Sequence, residues 1–580
     1  MFFKNFQDDA KNGVKTVFNV TEKFKNVRVL NFSVTYDTER EPEPLTLKWR
    51  EEPNEFFGVW EPLGKFRKNF QMTWSKRVNL SKISCSEPIM CVYKAGFING
   101  ITVALTDTLN ASILKCGVDE YSGEVEFEVV LFPEKSGKVK TYSVGIYEDK
   151  REIPVREVIK DVNALWTDGI KYPAVPQAAF DPVYSAWYNF HQDVYQGKLL
   201  NELKIAAEYG LKTLIIDDGW QTDVAGFEYG YSYCGDWEVS KKKFPDMKKF
   251  VDDAHKLGIK VMLWYSVPFV GVKSKNYEKF KGKYLYYAPS MQASVLDPRY
   301  KEVREYLVNV YLNAAKNYGL DGFKLDFIDS FVLSDESNAY DKTVMDAVSP
   351  EEGVSKLLTE INRALKTVNP DMLIEFRQGY IGTEVMKLGN MVRVADCIFD
   401  RLSNLVGSVD LRLINLTGAV HSDMLSWNKN DGLDAVAGQL LATAFSVPQI
   451  SVILAELPEI HRNYLKSYLD FYAAHKNAMV KGEISVKGAE KNYTQVTSAD
   501  EKESVTVCYA DRLVDIKGGK TQYVFNAADE TSLAFKVNEK DKSYSVEIFD
   551  EKFKKIKEDK LSGFALYDIP RYGHACVKPI

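Results

Sequence analysis

The chain is poor in the residues that staple a fold, hold a metal or anchor in lipid. Seven cysteines (Cys85, Cys91, Cys116, Cys234, Cys397, Cys508 and Cys576) are scattered over 580 residues without C-x-x-C or other metal-ligand spacing. They read as the reduced thiols of a cytoplasmic protein rather than as a disulfide framework. Six histidines are equally dispersed, so neither a zinc constellation nor any other metal or cofactor is expected. No apolar run is long enough to span a bilayer. The opening MFFKNFQDDAKNG carries Asp8 and Asp9 and has no apolar core of a secretory leader, so no signal peptide is expected. No G-x-G-x-x-G or Walker loop marks a nucleotide site. The net charge of −6, with both signs interspersed, offers no patch for nucleic acid or a membrane surface.

What is present is length, aromatic residues and a change of pattern along the chain. A chain of 580 residues exceeds one hydrophobic core, so two or three domains are expected. Phe, Trp and Tyr make up 13% of it, which suits either a large β-rich core or sugar-stacking surfaces. Residues 1–175 read as an N-terminal β-sandwich: short alternating runs such as VRVLNFSVTY, ITVALTD and VEFEVVLF, with long insertions around 40–80. Residues 176–481 alternate buried strands with helices. The strands are VYSAWYNF (183–190), TLIID, KVMLWYS, GFKLDF, MLIEFR, MVRVAD, AVHSDML and QISVIL (449–454). Eight such units over roughly 300 residues close a (β/α)8 barrel of the TIM type, giving an α/β fold class. Residues 482–580 return to short strands and read as a C-terminal antiparallel β domain, with the lysine-rich DEKFKKIKEDK as a solvated turn or edge.

In such barrels chemistry sits where the strands end. Strand 2 ends in Asp217-Asp218-Gly219-Trp220 and strand 4 in Lys324-Leu325-Asp326. Strand 5 ends in Glu375-Phe376-Arg377, strand 6 in Arg393 and Asp396, and strand 7 in His421-Ser422-Asp423. Carboxylates with a few cations, and no His/Cys cluster, are the equipment of glycoside hydrolysis. Lys324 and Asp326, two apart on one strand, share a face, so the lysine is expected to hold the aspartate ionised. A structural ion pair filling the barrel explains the same two residues equally well. Asp217 and Asp218 could instead cap the next helix, but no helical pattern resumes until about residue 246, which favours hydroxyl binding. Trp187 and Trp264 are candidate stacking walls, although a lone Trp is more often core.

Taken in order, SAWYNF, IIDDGW, GDWEVSKKKFPDMKKFVDDAHKLGIKVMLW, LDPRYKEVREYL, LDGFKLDF and the R-x-x-D of strand 6 resemble glycoside hydrolase family 36, the melibiase-type α-galactosidases of clan D. The resemblance implies a retaining α-galactosidase that releases terminal α-linked galactose from small oligosaccharides by double displacement. It implies Asp326 as nucleophile and Asp396 as general acid/base, with Asp400 as an alternative acid. Asp217 and Asp218 would bind O4 and O6, Lys324 and Arg393 would touch the sugar, and Trp187 and Trp264 would wall the subsite. The chain departs from many members at strand 5, where EFRQGYIG puts bulky Arg377 and Gln378 in place of a small Cys-Gly-Ser-like turn on the C2 side. The same resemblance admits an α-N-acetylgalactosaminidase or a raffinose-synthase-like transglycosidase, and a non-catalytic sugar-binding barrel least of all. It also admits a homo-oligomer in which the Phe57–Trp60 stretch reaches a neighbouring site.

Overall fold

The computed structural model describes residues 2–11, 13–224, 230–377, 379–415, 417–539 and 541–580. The N-terminal residues form two sheets with antiparallel pairing. One joins five strands in the order Lys4–Asp8, Leu45–Glu51, Val125–Leu131, Ser112–Val118 and Arg77–Ser81. The other joins six, from Val14–Phe24 through Val27–Arg40, Val139–Asp149, Ile98–Leu105 and Ile89–Lys94 to Phe56–Trp60. Between them lies a core of alternate inward residues, including Phe32, Leu47, Trp49 and Phe127, in which Trp49 and Phe127 stack at 5.6 Å. Residues 40–80, expected as insertions, hold two sheet strands and the start of a third. Their irregular spacing comes from a loop around 61–76 that leaves the sheets.

The barrel strands are β1 (Val183–Ser185), β2 (Thr213–Ile216), β3 (Lys260–Ser266) and β4 (Gly322–Asp326), followed by β5 (Leu373–Arg377), β6 (Met391–Arg393), β7 (Ala419–His421) and β8 (Gln449–Ile450). They form one parallel sheet in which β1 pairs with both β2 and β8. Isolated parallel bridges His421–Val447 and Leu425–Ile450 join β7 to the β8 side and close the ring. Several strands are shorter than the hydrophobic runs that announce them. VYSAWYNF leaves the sheet after Ser185 and folds over the mouth, where the His191 amide donates to the Trp187 carbonyl at 2.7 Å. The end of MVRVAD and most of HSDML and SVIL do the same. Apolar residues beyond the ladder are buried by rim loops instead, which a hydrophobic pattern cannot distinguish from a strand.

The outer helices are α1 (Gln196–Glu208), α2 (Met247–Lys256), α3 (Lys301–Tyr318), α4 (Pro350–Lys366), α5 (Arg401–Ile414), α6 (Leu433–Ala442) and α7 (Glu459–Lys476). Gly258 and Gly319 stop α2 and α3 with φ of 74° and 72°, the left-handed geometry that glycine adopts without a Cβ penalty. Between β3 and β4 a small three-stranded sheet is inserted. The LDPRY motif that follows it is structural: the Arg299 guanidinium grips the buried Asp297 carboxylate at 2.7–3.1 Å. The C-terminal residues form a seven-stranded and a three-stranded sheet. Most pairings are antiparallel, but Glu503–Cys508 with Thr521–Asn526 and Leu513–Ile516 with Ser532–Val537 run parallel. Strand Lys555–Leu561, from the lysine-rich run, is an exposed edge. All seven cysteines are free, and among the described residues no helix is long and apolar enough to cross a membrane.

One buried carboxylate joins all three parts. Asp410 of α5, 1% exposed, accepts the Trp60 indole N–H at 2.8 Å and the Tyr493 hydroxyl, and faces Lys68 Nζ at 3.4 Å. Trp60 therefore turns into its own chain, while Phe57 stays exposed. Removing one member of a buried ion pair strands the other charge. Asp410→Ala is expected to cost about 3–5 kcal/mol, read as a shift in the urea midpoint. An unchanged midpoint would show the node to be energetically idle.

Candidate active site

Period-two alternation on β4 places Phe323 and Leu325 on one face and Lys324 and Asp326 on the other, in the barrel interior. Lys324 acts on Asp326 through its charge, which helps to keep the carboxylate ionised, while its hydrogen bond goes elsewhere. Its Nζ meets Asp217 Oδ2 at 2.6 Å across the barrel. Burial opposes the Lys324 charge, but Asp217 outweighs it and the pKa is raised. Among the described residues Asp217 and Asp218 cap no helix: α2 is capped by Asp246, whose side chain accepts from the Lys249 amide. Asp218 is held by Gln192 Nε2 at 2.8 Å and Gln221 Nε2 at 2.6 Å, and its burial pushes its pKa up.

Asp326 is ringed by donors, and its two oxygens differ. Oδ1 accepts from Arg377 Nε at 2.6 Å, the Tyr380 hydroxyl at 2.8 Å and the Phe327 amide at 2.8 Å. Among the described residues, Oδ2 accepts from Trp264 Nε1 alone, at 3.0 Å. Burial would raise this carboxyl, but the charges of Arg377 and Lys324 and the hydrogen bonds from Arg377 and Trp264 hold it well below the usual carboxylate range. Arg377 also lies 3.7 Å from Asp329. Gln378, beside it in sequence, lies outside the described residues.

Across the mouth, buried Arg393 is shared among three carboxylates. Nη1 meets Asp423 Oδ1, Nη2 meets Asp396 Oδ1 at 2.9 Å, and Nε stands 3.8 Å from Glu375 Oε1. The Asp396 side chain is 60% exposed, open to a ligand, and the Arg393 charge holds its pKa down. Asp400 is spent differently. It caps α5, accepting from the Leu402 and Ser403 amides at 3.1 and 3.0 Å and from the Ser403 hydroxyl at 2.5 Å.

His421 is core: fully buried, its Nε2 lies 2.8 Å from the Ala179 carbonyl, and burial lowers its pKa to about 4. Asp423 is tied to Arg393, to the Tyr188 hydroxyl at 2.9 Å and to the Cys397 amide at 2.7 Å. Trp187, half-buried, stacks on His191 at 4.0 Å rather than standing free. Trp264 is almost wholly buried and packs near Trp237 at 6.3 Å.

Sequence reasoning missed Tyr380, Gln192 and Gln221, and it missed a brace from the N-terminal sheets. Tyr380 stands in the quoted EFRQGYIG, but only the fold shows its hydroxyl turning back onto Asp326. The brace is Ser86-Glu87. The Ser86 amide donates to the Gly379 carbonyl at 2.6 Å, and the buried Glu87 carboxyl accepts from the Thr383 amide, flanking Tyr380 on both sides. A side chain at Gly382 would meet Glu87 Oε1 at 2.7 Å, so glycine permits this approach. Nothing in the spacing of residues 86 and 380 announces the contact.

The fold and rim define a (β/α)8 barrel with an acid-lined mouth between two β domains. Residues 177–376 match the Melibiase family model. The chain is 30% identical over 153 residues to the α-galactosidase Mel36A of Lactobacillus acidophilus, a stretch covering 24% of this chain and 19% of that one. It is 25% identical over 147 residues to the α-galactosidase AgaA of Geobacillus stearothermophilus, covering 24% and 20%. The aligned stretch thus spans about a fifth of these curated relatives. Among solved structures, a family 36 AgaA of G. stearothermophilus in complex with raffinose superposes with a TM-score of 0.67 at 14% identity, covering 98% of this chain and 81% of that one. The α-galactosidase of Lactobacillus brevis gives a TM-score of 0.66 at 13% identity, covering 99% and 86%. Over residues 177–376 the barrel is thus similar in sequence to the melibiases, and the chain shares its fold with family 36 structures.

Burial raises Glu87 to about 8, so near neutral pH its carboxyl is largely protonated and resembles an amide. Glu87→Gln is expected to keep the Thr383 contact and the stability. Glu87→Ala orphans the buried amide and is expected to cost about 1–3 kcal/mol. Guanidinium denaturation of the two variants separates these outcomes, and equal losses would refute the neutral-carboxyl account.

Proposed function

We propose that the chain is a retaining α-glycosidase, an α-galactosidase that releases terminal α-linked galactose from small oligosaccharides. The observation that carries this is the contrast between two carboxylates. Asp326 is buried and kept ionised, and among the described residues one oxygen meets three donors and the other a single one. That second oxygen, Oδ2, keeps a lone pair for attack on the anomeric carbon. Asp396 is exposed, oriented by Arg393, and free to protonate the departing oxygen. Attack gives a glycosyl ester on Asp326, and water deprotonated by Asp396 then hydrolyses it.

Arg393 favours the ionised form of Asp396 before substrate arrives, whereas an acid must be neutral to donate. Bound substrate excludes water and brings the glycosidic oxygen to Asp396, which favours the protonated form. Asp217 and Asp218, fixed by Lys324, Gln192 and Gln221, supply acceptors for the O4 and O6 hydroxyls. Lys324, Arg377 and Arg393 complete the polar wall, and Trp187 and Trp264 the apolar one. Raffinose and stachyose are bound by family 36 structures of the same fold, and oligosaccharides of that kind are the substrates proposed for the catalytic barrel, residues 176–481. The Arg377 guanidinium against the nucleophile favours a free C2 hydroxyl over the bulkier acetamido group. Seven free thiols favour a cytoplasmic location.

A panel of nitrophenyl α-glycosides differing at C2, C4 and C6 tests the sugar, and added acceptor sugars separate hydrolysis from transfer. The α-galactoside is expected to be turned over fastest. No turnover of any member would sink the reading. Asp326→Gly should lower kcat on the order of 10³–10⁵-fold, with azide restoring turnover as glycosyl azide. Asp396→Asn should lose hydrolysis of poor leaving groups, while Asp400→Asn, still a good cap, should keep it. The reverse result would transfer the acid role to Asp400.

Arg377 lowers the Asp326 pKa, so its loss must raise it. The acid limb of kcat/KM in Arg377→Gln is expected to move to higher pH by roughly one unit or more. A limb that stays put would show that Arg377 does not hold the nucleophile ionised.

A further inference from the structure

A groove of about 550 Å³ lies on the outer side of the barrel, between α3 and the loop that follows β2. It shares no lining residue with the candidate catalytic centre. α3 supplies two rows of side chains at four-residue spacing, which stacks them along one side of a helix. One row is Tyr306, Val310, Ala314 and Tyr318, and the other is Asn309, Asn313 and Asn317. The loop supplies the facing wall, with Trp237 between Asp236 and Glu238, and Lys241 further along.

Helix stability does not account for the asparagines. Asparagine is a weak helix former because its amide competes for backbone groups, yet α3 carries three at one spacing. They are exposed, and among the described residues no partner holds their amides. Each amide offers two donors and a carbonyl acceptor, a match for neighbouring hydroxyls. Opposite them, Trp237 has a left-handed backbone, with φ of 55°, which a bulky residue rarely adopts and which tends to mark ligand sites. Its ring leans on Tyr265 at 4.7 Å and Trp220 at 6.1 Å and is 7% exposed at the groove. The charges here are already matched. Asp236 accepts from Ser274 Oγ at 2.7 Å and from the Lys275 and Asn276 amides at 2.9 and 3.2 Å. Glu238 pairs with Lys275 at 3.0 Å, so two carboxylates face Lys241 and Lys275 and no net charge remains.

We infer that this groove is a second sugar-binding site, which holds a neutral oligosaccharide separate from the molecule in the barrel mouth. Aromatic rings stack on the C–H faces of pyranoses while the amides take their hydroxyls. A charged ligand finds no counter-charge here, and a purely apolar one would strip water from three amides without replacing it. The volume falls within the range of ligand pockets, roughly 300 to 1,000 Å³. The asparagine row extends about 12 Å along the helix, which suits a short chain of rings rather than one monosaccharide. Binding there involves no turnover, so the site stands independently of the glycosidase reading.

Saturation-transfer NMR with stachyose, maltotriose and cellotriose reads the binding, in the Asp326→Gly chain so that no probe is consumed. Trp237 is left in place, because its ring lies 6.3 Å from that of Trp264, the donor to Asp326 Oδ2. The variant is Asn309→Ala/Asn313→Ala, in which alanine favours the helix, so lost binding does not reflect lost folding. At least one probe is expected to give a signal, with an affinity about three- to tenfold weaker once both alanines are present. With Asp326 intact, the same two alanines are expected to leave kcat/KM for nitrophenyl α-galactoside within about twofold. No signal from any probe, or unchanged affinity for every probe, overturns the site. A loss of kcat/KM as large as the loss of binding overturns its separation from the barrel mouth. A chain inactive on every nitrophenyl glycoside sinks the glycosidase reading alone, and the NMR comparison still decides the groove.

Discussion

The structure turns on the pairing of three buried or half-buried cations in the mouth of the barrel. Lys324, Arg377 and Arg393 each lie against carboxylates of other segments, namely Asp217, Asp326, Asp423 and, more distantly, Glu375, and Arg393 also meets Asp396 three residues on. Charges taken out of water are tolerated only when paired, so the identity of each strand-end residue constrains its neighbours. The network fixes the relative positions of β2, β4, β5, β6 and the loop after β7. It also sets the charge state of each acid. Asp326 is held ionised at the centre of the network, and Asp396 at its edge keeps one side open to solvent.

Positioning does not stop at the barrel. Tyr380 and Arg377, two of the donors on Asp326, sit on the loop after β5, and that loop is clasped by Ser86 and Glu87 from the N-terminal sheets. Asp410 plays a corresponding role on the far side, where Trp60, Lys68 and Tyr493 converge on α5. The flanking β domains are thereby coupled to the rim through a few buried polar contacts. Such contacts are unfavourable when half-made, which makes the arrangement specific as well as stable.

Much of the barrel was legible because a buried parallel strand followed by an amphipathic helix leaves a strong local pattern, and because rim carboxylates fall where each apolar run ends. Asp217, Asp218, Lys324, Asp326, Arg393 and Asp396 all fall at or just beyond those ends, and the structure brings them to one mouth. Strand lengths were overread at β1, β6, β7 and β8, because rim loops bury apolar residues as effectively as the sheet does. The C-terminal sheets were read as wholly antiparallel, since alternation reports which face is buried and says nothing of strand direction.

The sequence alone determined the order of elements, the parallel barrel and the set of acids available to it. These depend on periodicity and on residues close together in the chain. Tertiary structure alone decided which donor serves which acid: Lys324 goes to Asp217, Arg377 and Tyr380 to Asp326, and Asp400 to a helix cap while Asp396 faces the opening. It also decided that Glu87 reaches the β5 loop and that Tyr188 and the Cys397 amide share the Asp423 carboxylate. Apart from the local Asp400 cap, such pairings join residues from tens to hundreds of positions apart. They are selected by the need to neutralise and hydrogen-bond every buried polar group at once, and only the assembled molecule poses that condition.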